Sequence, residues 1–387
     1  MSDLIALPSV ASLPREQWNA LLPENAGPFL QYDFLNALET TGCATPETGW
    51  QPSHLVALDD EGNAHQVIPA YIKQHSYGEY VFDWQWAEAY ASYGMDYYPK
   101  LLLGIPFTPV PGPRVIGSSD PQTLASALAK FCEAQSLSGW HMNFPADNRF
   151  AGSDAMHDDT PERQPLPRGI QPSQRMGYQF IWRNQGYQSF DDFLATFVSR
   201  KRKSVLKERR RIAEQGLKVS RIIGSDITSE DIKRFYECYC DTYYRRRSHP
   251  YLSLAFFQLL RETMSDQMMM VVADDEEGRC AAALCFFDDS SLYGRYWGCL
   301  RDYDALHFEA CYYQGIEFCI ERGLTMFNPG TQGEHKISRG FAPEFTRSFH
   351  WLAHPEFHRA VSDFVQQEAR YVEEYTREAA TRLPFHR

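Results

Sequence analysis

The sequence predicts a mixed α/β fold, an α+β sheet with helices on its faces, made of two similar halves. Three observations carry this. First, a pattern recurs. "HLVALDDEGNAHQVIPAYI" (54–72) and "MMVVADDEEGRCAAALCFF" (269–287) each run from an apolar stretch through an Asp-Asp turn with glycine into a second apolar stretch. That is the signature of a β-hairpin whose glycine supplies a positive φ. Second, each hairpin follows an amphipathic helix, "PFLQYDFLNALETTG" in one half and "YLSLAFFQLLRETMS" in the other. A repeated order of elements predicts a duplicated fold. Third, "NRFAGSDAMHDDTPERQPLPRGIQPSQRMG" lies between the halves and is rich in Pro, Gly and charge, as loops are. The expected division is a first domain over 1–150, a linker or long loop over 151–177, and a second domain over 178–387.

The second half reads element by element. "SFDDFLATFVSRKRKSVLKERRRIAEQG" is helical, capped by Ser189 and closed by Gly216. "LKVSRIIG" alternates as a strand does. "SEDIKRFYECYCDTYYRRR" is a helix with Ser229 as its expected cap. After the hairpin, "SLYGRYWGCL" is a strand with Tyr293, Arg295 and Trp297 on one face. "HFEACYYQGIEFCIERG" is a helix ending at Gly323, and "TMFNPG" and "RSFHWLA" are strands. Strands and helices in this order give a sheet with helices on its faces.

Composition bounds the function. The chain has 387 residues, 43% of them hydrophobic and 14% aromatic, enough for two cores. No apolar run approaches the roughly 18 residues that span a bilayer. The N-terminus lacks a basic and a long apolar signal region. Nine cysteines, an odd number with no Cys-x-x-Cys pair, argue against a disulfide framework or a zinc site. The expectation is a soluble cytoplasmic protein. No nucleophile elbow, P-loop or GxGxxG fingerprint occurs.

The order strand, two helices, three strands, helix, strand, strand resembles the GNAT acyltransferases. Two such halves look like the Fem-type peptidyl transferases, which build cell-wall cross-bridges from aminoacyl-tRNA. More specifically, "SFDDFLATFVSRKRKSVLKERR", "LYGRYWG", "LHFEACYYQGIEF", "GTQGEHKISRGF" and "PFTPVPGPRVI" resemble a bacterial family of N-acyltransferases labelled peptidoglycan biosynthesis/recognition. The resemblance covers nearly the whole chain. It implies two tandem GNAT-like domains.

One stretch is out of character with its surroundings. The protein carries 38 basic and 50 acidic side chains, a net charge of -12. Yet residues 200–211 hold eight basic residues and one acidic one. On a helical projection Leu194, Val198, Val205 and Ile212 fall within about 40° of one another. Arg200, Lys203, Lys207, Arg210 and Arg211 point away from this stripe, whereas Lys201, Arg202 and Arg209 lie on or beside it. Either the long stems snorkel over apolar neighbours, or the three inward cations meet an anionic ligand. Clustered cations attract phosphates in a salt-dependent way. Aminoacyl-tRNA, CoA or a nucleotide-linked precursor each fits.

Conventional GNAT enzymes cradle the CoA pyrophosphate on a glycine-rich turn before a helix. The corresponding stretch here, "LRDYDALHFE", has no glycine and offers Asp302 and Asp304, which can also cap the helix. His307 and Glu309 follow and are candidate general bases. His-x-Glu also occurs in zinc deaminases, but the accompanying Pro-Cys-x-x-Cys is missing. Past the short strand, "GTQGEHKISRGF" crowds Glu334, His335, Lys336 and Arg339 between three glycines. There Lys336 or Arg339 can hold an oxyanion, and Arg295 and Trp297 can bind a carboxylate and stack on a ring. Each of these stretches also has a plain structural reading, as a helix terminus or a polar surface loop. In the first half Trp84, Trp86, Tyr90, Phe107 and Arg114 read as core and a rigid Pro-rich loop, or alternatively as an aromatic acceptor groove between the domains that includes Trp86.

The leading expectation is an N-acyltransferase that moves an acyl or aminoacyl group to an amine of a cell-wall-related or peptide acceptor. Its co-substrate would be aminoacyl-tRNA or acyl-CoA. His307, Glu309, Glu334, His335 and Lys336 are the candidate catalytic residues; Lys201, Arg202, Arg209, Arg295, Trp297, Arg339 and Trp86 are the candidate binding residues. The alternatives are an acetyl-CoA-dependent acetyltransferase and a non-catalytic glycan, peptide or RNA recognition module. Catalysis requires His307, Glu309, Glu334 and Lys336 to converge; a binding module requires an open groove.

Overall fold

The computed structural model describes residues 4–24, 26–147, 150, 169–331 and 333–386, so residues 151–168 of the expected linker lie outside the described residues. In chain order the strands are β1 (Ile5–Leu7), β2 (Trp50–Pro52), β3 (His54–Leu58), β4 (Ala64–Ile68), β5 (Ala70–Lys73), β6 (Lys100–Leu103) and β7 (Gly139–Asn143). They continue with β8 (Ser173–Arg183), β9 (Lys218–Ile223), β10 (Met268–Asp275), β11 (Gly278–Phe287), β12 (Ser291–Cys299), β13 (Met326–Asn328) and β14 (Ala342–Leu352). The helices are α1 (Arg15–Leu21), α2 (Tyr32–Thr40), α3 (Trp84–Ser92), α4 (Pro121–Ala134), α5 (Phe190–Ala195) and α6 (Ser199–Glu214). They end with α7 (Ser229–Tyr244), α8 (Leu254–Met264), α9 (Leu306–Phe308), α10 (Gln314–Arg322) and α11 (Pro355–Thr381). Among the described residues no helix is long and apolar enough to cross a membrane.

The chain forms two compact units. Unit 1 comprises Met1–Gly177 and Phe345–Glu373, and unit 2 comprises Tyr178–Glu344 and Glu374–Arg387. Residues 345–373, read from the sequence as part of the second domain, therefore belong to the first. The reason is a strand pairing with high sequence separation. Residues 348–352 of β14 pair antiparallel with β7, from Ser348↔Asn143 to Leu352↔Gly139. That register delivers Phe349 and Trp351 to the core of unit 1.

In unit 1 the strands run in the order β2-β5-β6-β7-β14, with β6 and β7 parallel. One face is apolar: Leu101, Leu103, Trp140 and Met142 pack under Leu124, Leu128 and Cys132 of α4. Alternation sends Lys100 and His141 to the other face. There the Lys100 ammonium donates to Ser76 Oγ (2.9 Å), Glu79 Oε2 (2.9 Å) and the Asp83 carboxylate. Tyr97 donates to Asp83 (2.7 Å), and His141 Nδ1 lies 2.7 Å from His350 Nδ1. Trp86 covers the histidine pair, its ring centre 4.8 Å from that of His350. The first hairpin, β3–β4, joins β1 in a separate three-stranded sheet. Pro69 interrupts its second apolar run, so the continuation becomes β5 of the larger sheet.

In unit 2 the order is β8-β13-β12-β11-β10-β9. The second hairpin forms as β10–β11, turned at Gly278 with φ +104°. α7 lies close on β12: a Cβ at Gly298 would sit 1.9 Å from the Cys238 carbonyl oxygen. Thr228, not Ser229, caps α7, because it forms a reciprocal capping box with Asp231. The helix expected from Ser189 to Gly216 is two helices. Ser189 Oγ caps α5, accepting from Asp192 N at 3.0 Å. The chain breaks at 196–198, where Val198 N donates to Pro384 O (2.8 Å). The break buries Phe197 completely while α6 begins outside the core. All nine cysteines are free thiols.

Candidate active site

The site in unit 2 starts from strand geometry. β12 pairs in parallel with β13 only over Ser291–Tyr293 and Met326–Asn328. On its other side the register with β11 shifts: Leu284 faces Tyr296 but Cys285 faces Gly294, leaving Arg295 as the extra residue of a β-bulge. Beyond Tyr293 the two parallel strands part. A cavity of about 80 Å³ opens there, lined by Arg295, Trp297, His307, Cys311, Tyr312 and Pro329 among others.

The helix facing this opening is irregular. Residues 309–313 form a π turn between α9 and α10, a local widening that often marks functional positions. The His307 ring contacts Trp297, Tyr312 and His335, with centroids 5.5, 5.3 and 5.8 Å away. Burial lowers the His307 pKa to about 4, and the charges of His335, Lys336, Arg339 and Arg246 push the same way. His335 Nε2 lies 2.7 Å from the Tyr312 hydroxyl. Burial also lowers the pKa of His335, with help from Arg339 and Lys336.

Lys336 sits in the turn 334–339, between Gly333 and Gly340, both at positive φ. It is 1% exposed, and its Nζ donates to the Gly330 carbonyl (2.7 Å). Burial pulls its ammonium down to about 7. Lys336 is thus a buried amine poised to lose its proton near neutrality. His307, His335 and Lys336 lie in one neighbourhood with Tyr312 and Cys311.

The two glutamates do not join them. Glu309 is held by Arg209 through two bonds of 3.1 Å and by Gln314 (2.7 Å). The π turn points it at α6, away from the cavity. Glu334 is largely exposed and accepts from the Tyr375 hydroxyl (2.6 Å) and from Arg382 (3.2 Å). The expected convergence of His307, Glu309, Glu334 and Lys336 is therefore not seen: His307 lines the cavity, His335 joins it through Tyr312, Lys336 is buried in the adjoining turn, and both glutamates are paired elsewhere.

The candidate binding residues divide in the same way. Arg295 and Trp297 line the cavity. Arg209 forms bidentate pairs with Glu309 and Glu317 and lies over the Phe190 ring at 4.6 Å. It is a structural strut, not a free anion receptor. Arg339 stacks on Phe308 (3.4 Å) and bonds Tyr313, the His335 carbonyl and Glu208. It holds the 334–339 turn against α6. Of the eight cations on α6, Arg209 and Arg211 are paired, the latter with Asp304. Arg200, Lys201, Arg202, Lys203, Lys207 and Arg210 have no ion pair among the described residues. Lys201 and Arg202 do not line the cavity. Trp86 is buried in unit 1 and takes no part here. Arg114 is buried too, donating to the Asn143 and Val110 carbonyls (2.7 Å each).

Asp302 and Asp304 do not cap the following helix, whose cap position is Ala305 at φ +66°. They pair instead with Arg245 (2.7 Å) and Arg211. The turn at the conventional pyrophosphate position is thus acidic and tied to the protein's own arginines. Sequence reasoning missed Tyr312, Cys311 and Arg246. "ACYY" carried the only signal for the first two, as a cysteine and tyrosine one turn beyond His307.

A family model described as FemAB-like, peptidoglycan biosynthesis/recognition, matches residues 9–387. No curated protein matches the sequence. Among solved structures, the crystal structure of FemX is similar at TM-score 0.50 and 10% identity, covering 90% of this chain and 98% of that one. The C-terminal domain of a putative lysylphosphatidylglycerol synthetase from Agrobacterium fabrum is similar at TM-score 0.51 and 11% identity, covering 94% and 96%. A conserved protein of unknown function from Bacteroides thetaiotaomicron is similar at TM-score 0.50 and 11% identity, covering 90% and 99%. Each unit has a parallel strand pair, β6/β7 or β12/β13, within a mixed sheet, as GNAT-like domains do. With two tandem GNAT-like domains and a family match along almost its whole length, the chain belongs to the FemAB-like family of peptidoglycan biosynthesis and recognition.

Proposed function

We propose that unit 2 is an N-acyltransferase that moves an aminoacyl group from a phosphate-bearing donor to an amine of a cell-wall-related or peptide acceptor. The observation that carries this reading is the buried Lys336 amine, bonded to the Gly330 carbonyl and close enough to His307 and Cys311 of the cavity lining for its charge to act on both. In the reaction the acceptor amine attacks the donor's ester carbonyl. A C–N bond forms, the C–O bond to the donor breaks, and one proton passes from the amine to the departing oxygen. Lys336 in its neutral form is the favoured proton acceptor, and it returns the proton to the leaving hydroxyl as the ammonium. His307 is the weaker base, because burial brings its pKa to about 4 against about 7 for Lys336; it and His335 orient the acceptor and Tyr312.

The donor is argued from charge. A phosphate at the turn 301–305 would meet Asp302 and Asp304, both exposed. The unpaired cations of α6 offer the opposite, and Glu208 ties α6 to Arg339 of the catalytic turn (2.8 Å). A long polyanion such as tRNA suits six cations spread along a helix better than a compact pyrophosphate does. The test is transfer of a labelled aminoacyl group from charged tRNA to amine-bearing muropeptides, with the product read by mass spectrometry. Product that disappears in Lys336→Met supports the reading. A melting-point rise with CoA alone, and acetyl transfer from acetyl-CoA, would overturn the donor assignment.

A further inference from the structure

Unit 1 holds a second cleft, of about 580 Å³, that plays no part in the chemistry above. Its size falls in the range of small-ligand sites, roughly 300–1,000 Å³. Three elements build it. Phe364, Gln367, Glu368 and Tyr371 stand on one face of α11, at the spacing i, i+3, i+4, i+7. Phe82, Trp84 and Gln85 come from the start of α3 and the residues before it, and Arg175 comes from β8.

Four aromatic rings are left open to solvent: Phe82 is 60% exposed, Trp84 and Phe364 37% each, and Tyr371 74%. Tyr77 extends this surface, its ring 4.9 Å from that of Trp84. So many exposed rings around one concavity are unusual for a monomer surface and mark a binding site.

The polar lining narrows the ligand. Arg175 makes a bidentate pair with Glu368 (2.6 and 2.8 Å) and donates a third bond to the Phe82 carbonyl (2.7 Å). Its guanidinium carbon lies 5.3 Å from the Trp86 ring centre and 5.9 Å from that of Phe364. The one cation and the one carboxylate of the cleft therefore satisfy each other. A phosphate or carboxylate ligand finds no free positive charge, and an ammonium finds no free negative one. The remaining polar groups are the Gln85 and Gln367 carboxamides, which have no hydrogen-bond partner among the described residues. A carboxamide both donates and accepts, as a hydroxyl does. A proline-rich peptide would answer the rings, but its carbonyls only accept and would leave both carboxamide oxygens unmatched.

We infer that this cleft binds an uncharged pyranose oligosaccharide, whose apolar ring faces stack on Trp84, Phe82 and Tyr371 while its hydroxyls meet Gln85 and Gln367. The site lies wholly in unit 1 and does not depend on the transferase reading of unit 2.

The test titrates the full chain with N-acetylglucosamine tetrasaccharide and with cellotetraose, reading tryptophan fluorescence and calorimetry. Saturable binding of either is expected, weakened about tenfold in Trp84→Ala and in Tyr371→Ala. Both side chains are exposed, so their melting temperatures stay at the wild-type value. Gln367→Leu keeps the packing of α11 and also weakens binding. Failure of both sugars to bind the wild type at millimolar concentration overturns the proposal. So does binding that Trp84→Ala and Tyr371→Ala leave unchanged, or a proline-rich decapeptide that binds in a Trp84-dependent manner when the sugars do not.

Discussion

Arg209 and Glu309 form a bidentate pair, with both bonds at 3.1 Å and the carboxylate almost fully buried. One contact thereby removes a candidate ligand-binding cation and a candidate general base together. Both groups are committed to joining α6 to the π turn, and Glu317 holds the same guanidinium at 2.6 Å. Arg209→Met strands Glu309 as a buried charge. A loss of about 3–5 kcal/mol is expected by urea denaturation. Glu309→Gln, read as a base-removal variant, should leave the pH dependence of transfer unaltered in shape.

Lys336 should govern the pH profile. Burial brings its pKa to about 7, so transfer should rise with pH through about 7 as the neutral amine appears. Lys336→Met should lower kcat by about 10²–10⁴-fold, and Lys336→Arg, which stays charged, should abolish the rise. Steady-state kinetics between pH 6 and 9 check this.

The same residue carries a stability prediction. The folded pKa of Lys336 lies below its ordinary 10.5. Between about 7 and 10.5 the unfolded chain binds a proton that the folded chain does not. Stability therefore rises with pH across that window and is lost as pH falls toward 7. Lys336→Met removes the penalty of a buried ammonium. Its Tm at pH 7 should exceed that of the wild type even as activity falls, a pairing that differential scanning calorimetry and the kinetics together detect.

Lys203→Glu/Lys207→Glu/Arg210→Glu tests the basic helix. These cations have no internal partner among the described residues, so the melting temperature should hold. The affinity for charged tRNA should fall, and the salt slope should drop by about 0.7–0.9 for each lost phosphate contact. Filter binding at several salt concentrations measures both.

In unit 1, Lys100 is held by both Glu79 and Asp83, and all three are buried. Lys100→Met leaves two unpaired carboxylates in the interior. It should destabilise the chain by about 3–5 kcal/mol or more in chemical denaturation.

The hairpins, the helix ends at Gly216 and Gly323 and the mixed α/β class were legible in the sequence. Period, turn residues and caps are local properties, and local sterics decide them. The sequence also offered His307, His335 and Lys336 as candidates, because they flank a strand whose place in the sheet the element order implied. The partners of charged residues were not legible. The projection separated Lys201, Arg202 and Arg209 from the solvated cations of α6, but it could not show that Glu309 and Glu317 come back to Arg209 about 100 residues later. Nor could it show that Pro69 would divide a hairpin between two sheets, or that 348–352 would pair with β7.

The sequence by itself determined which segments are helix and strand, where they turn, and which stretch concentrates positive charge. Tertiary structure alone decided which charges are spent. An ion pair depends on distance and burial, and both arise from contacts far apart in the chain. "SRKRKSVLKERRR" looked like one basic feature; the fold divides it into two structural arginines, Arg209 and Arg211, and six cations left for solvent or a polyanion.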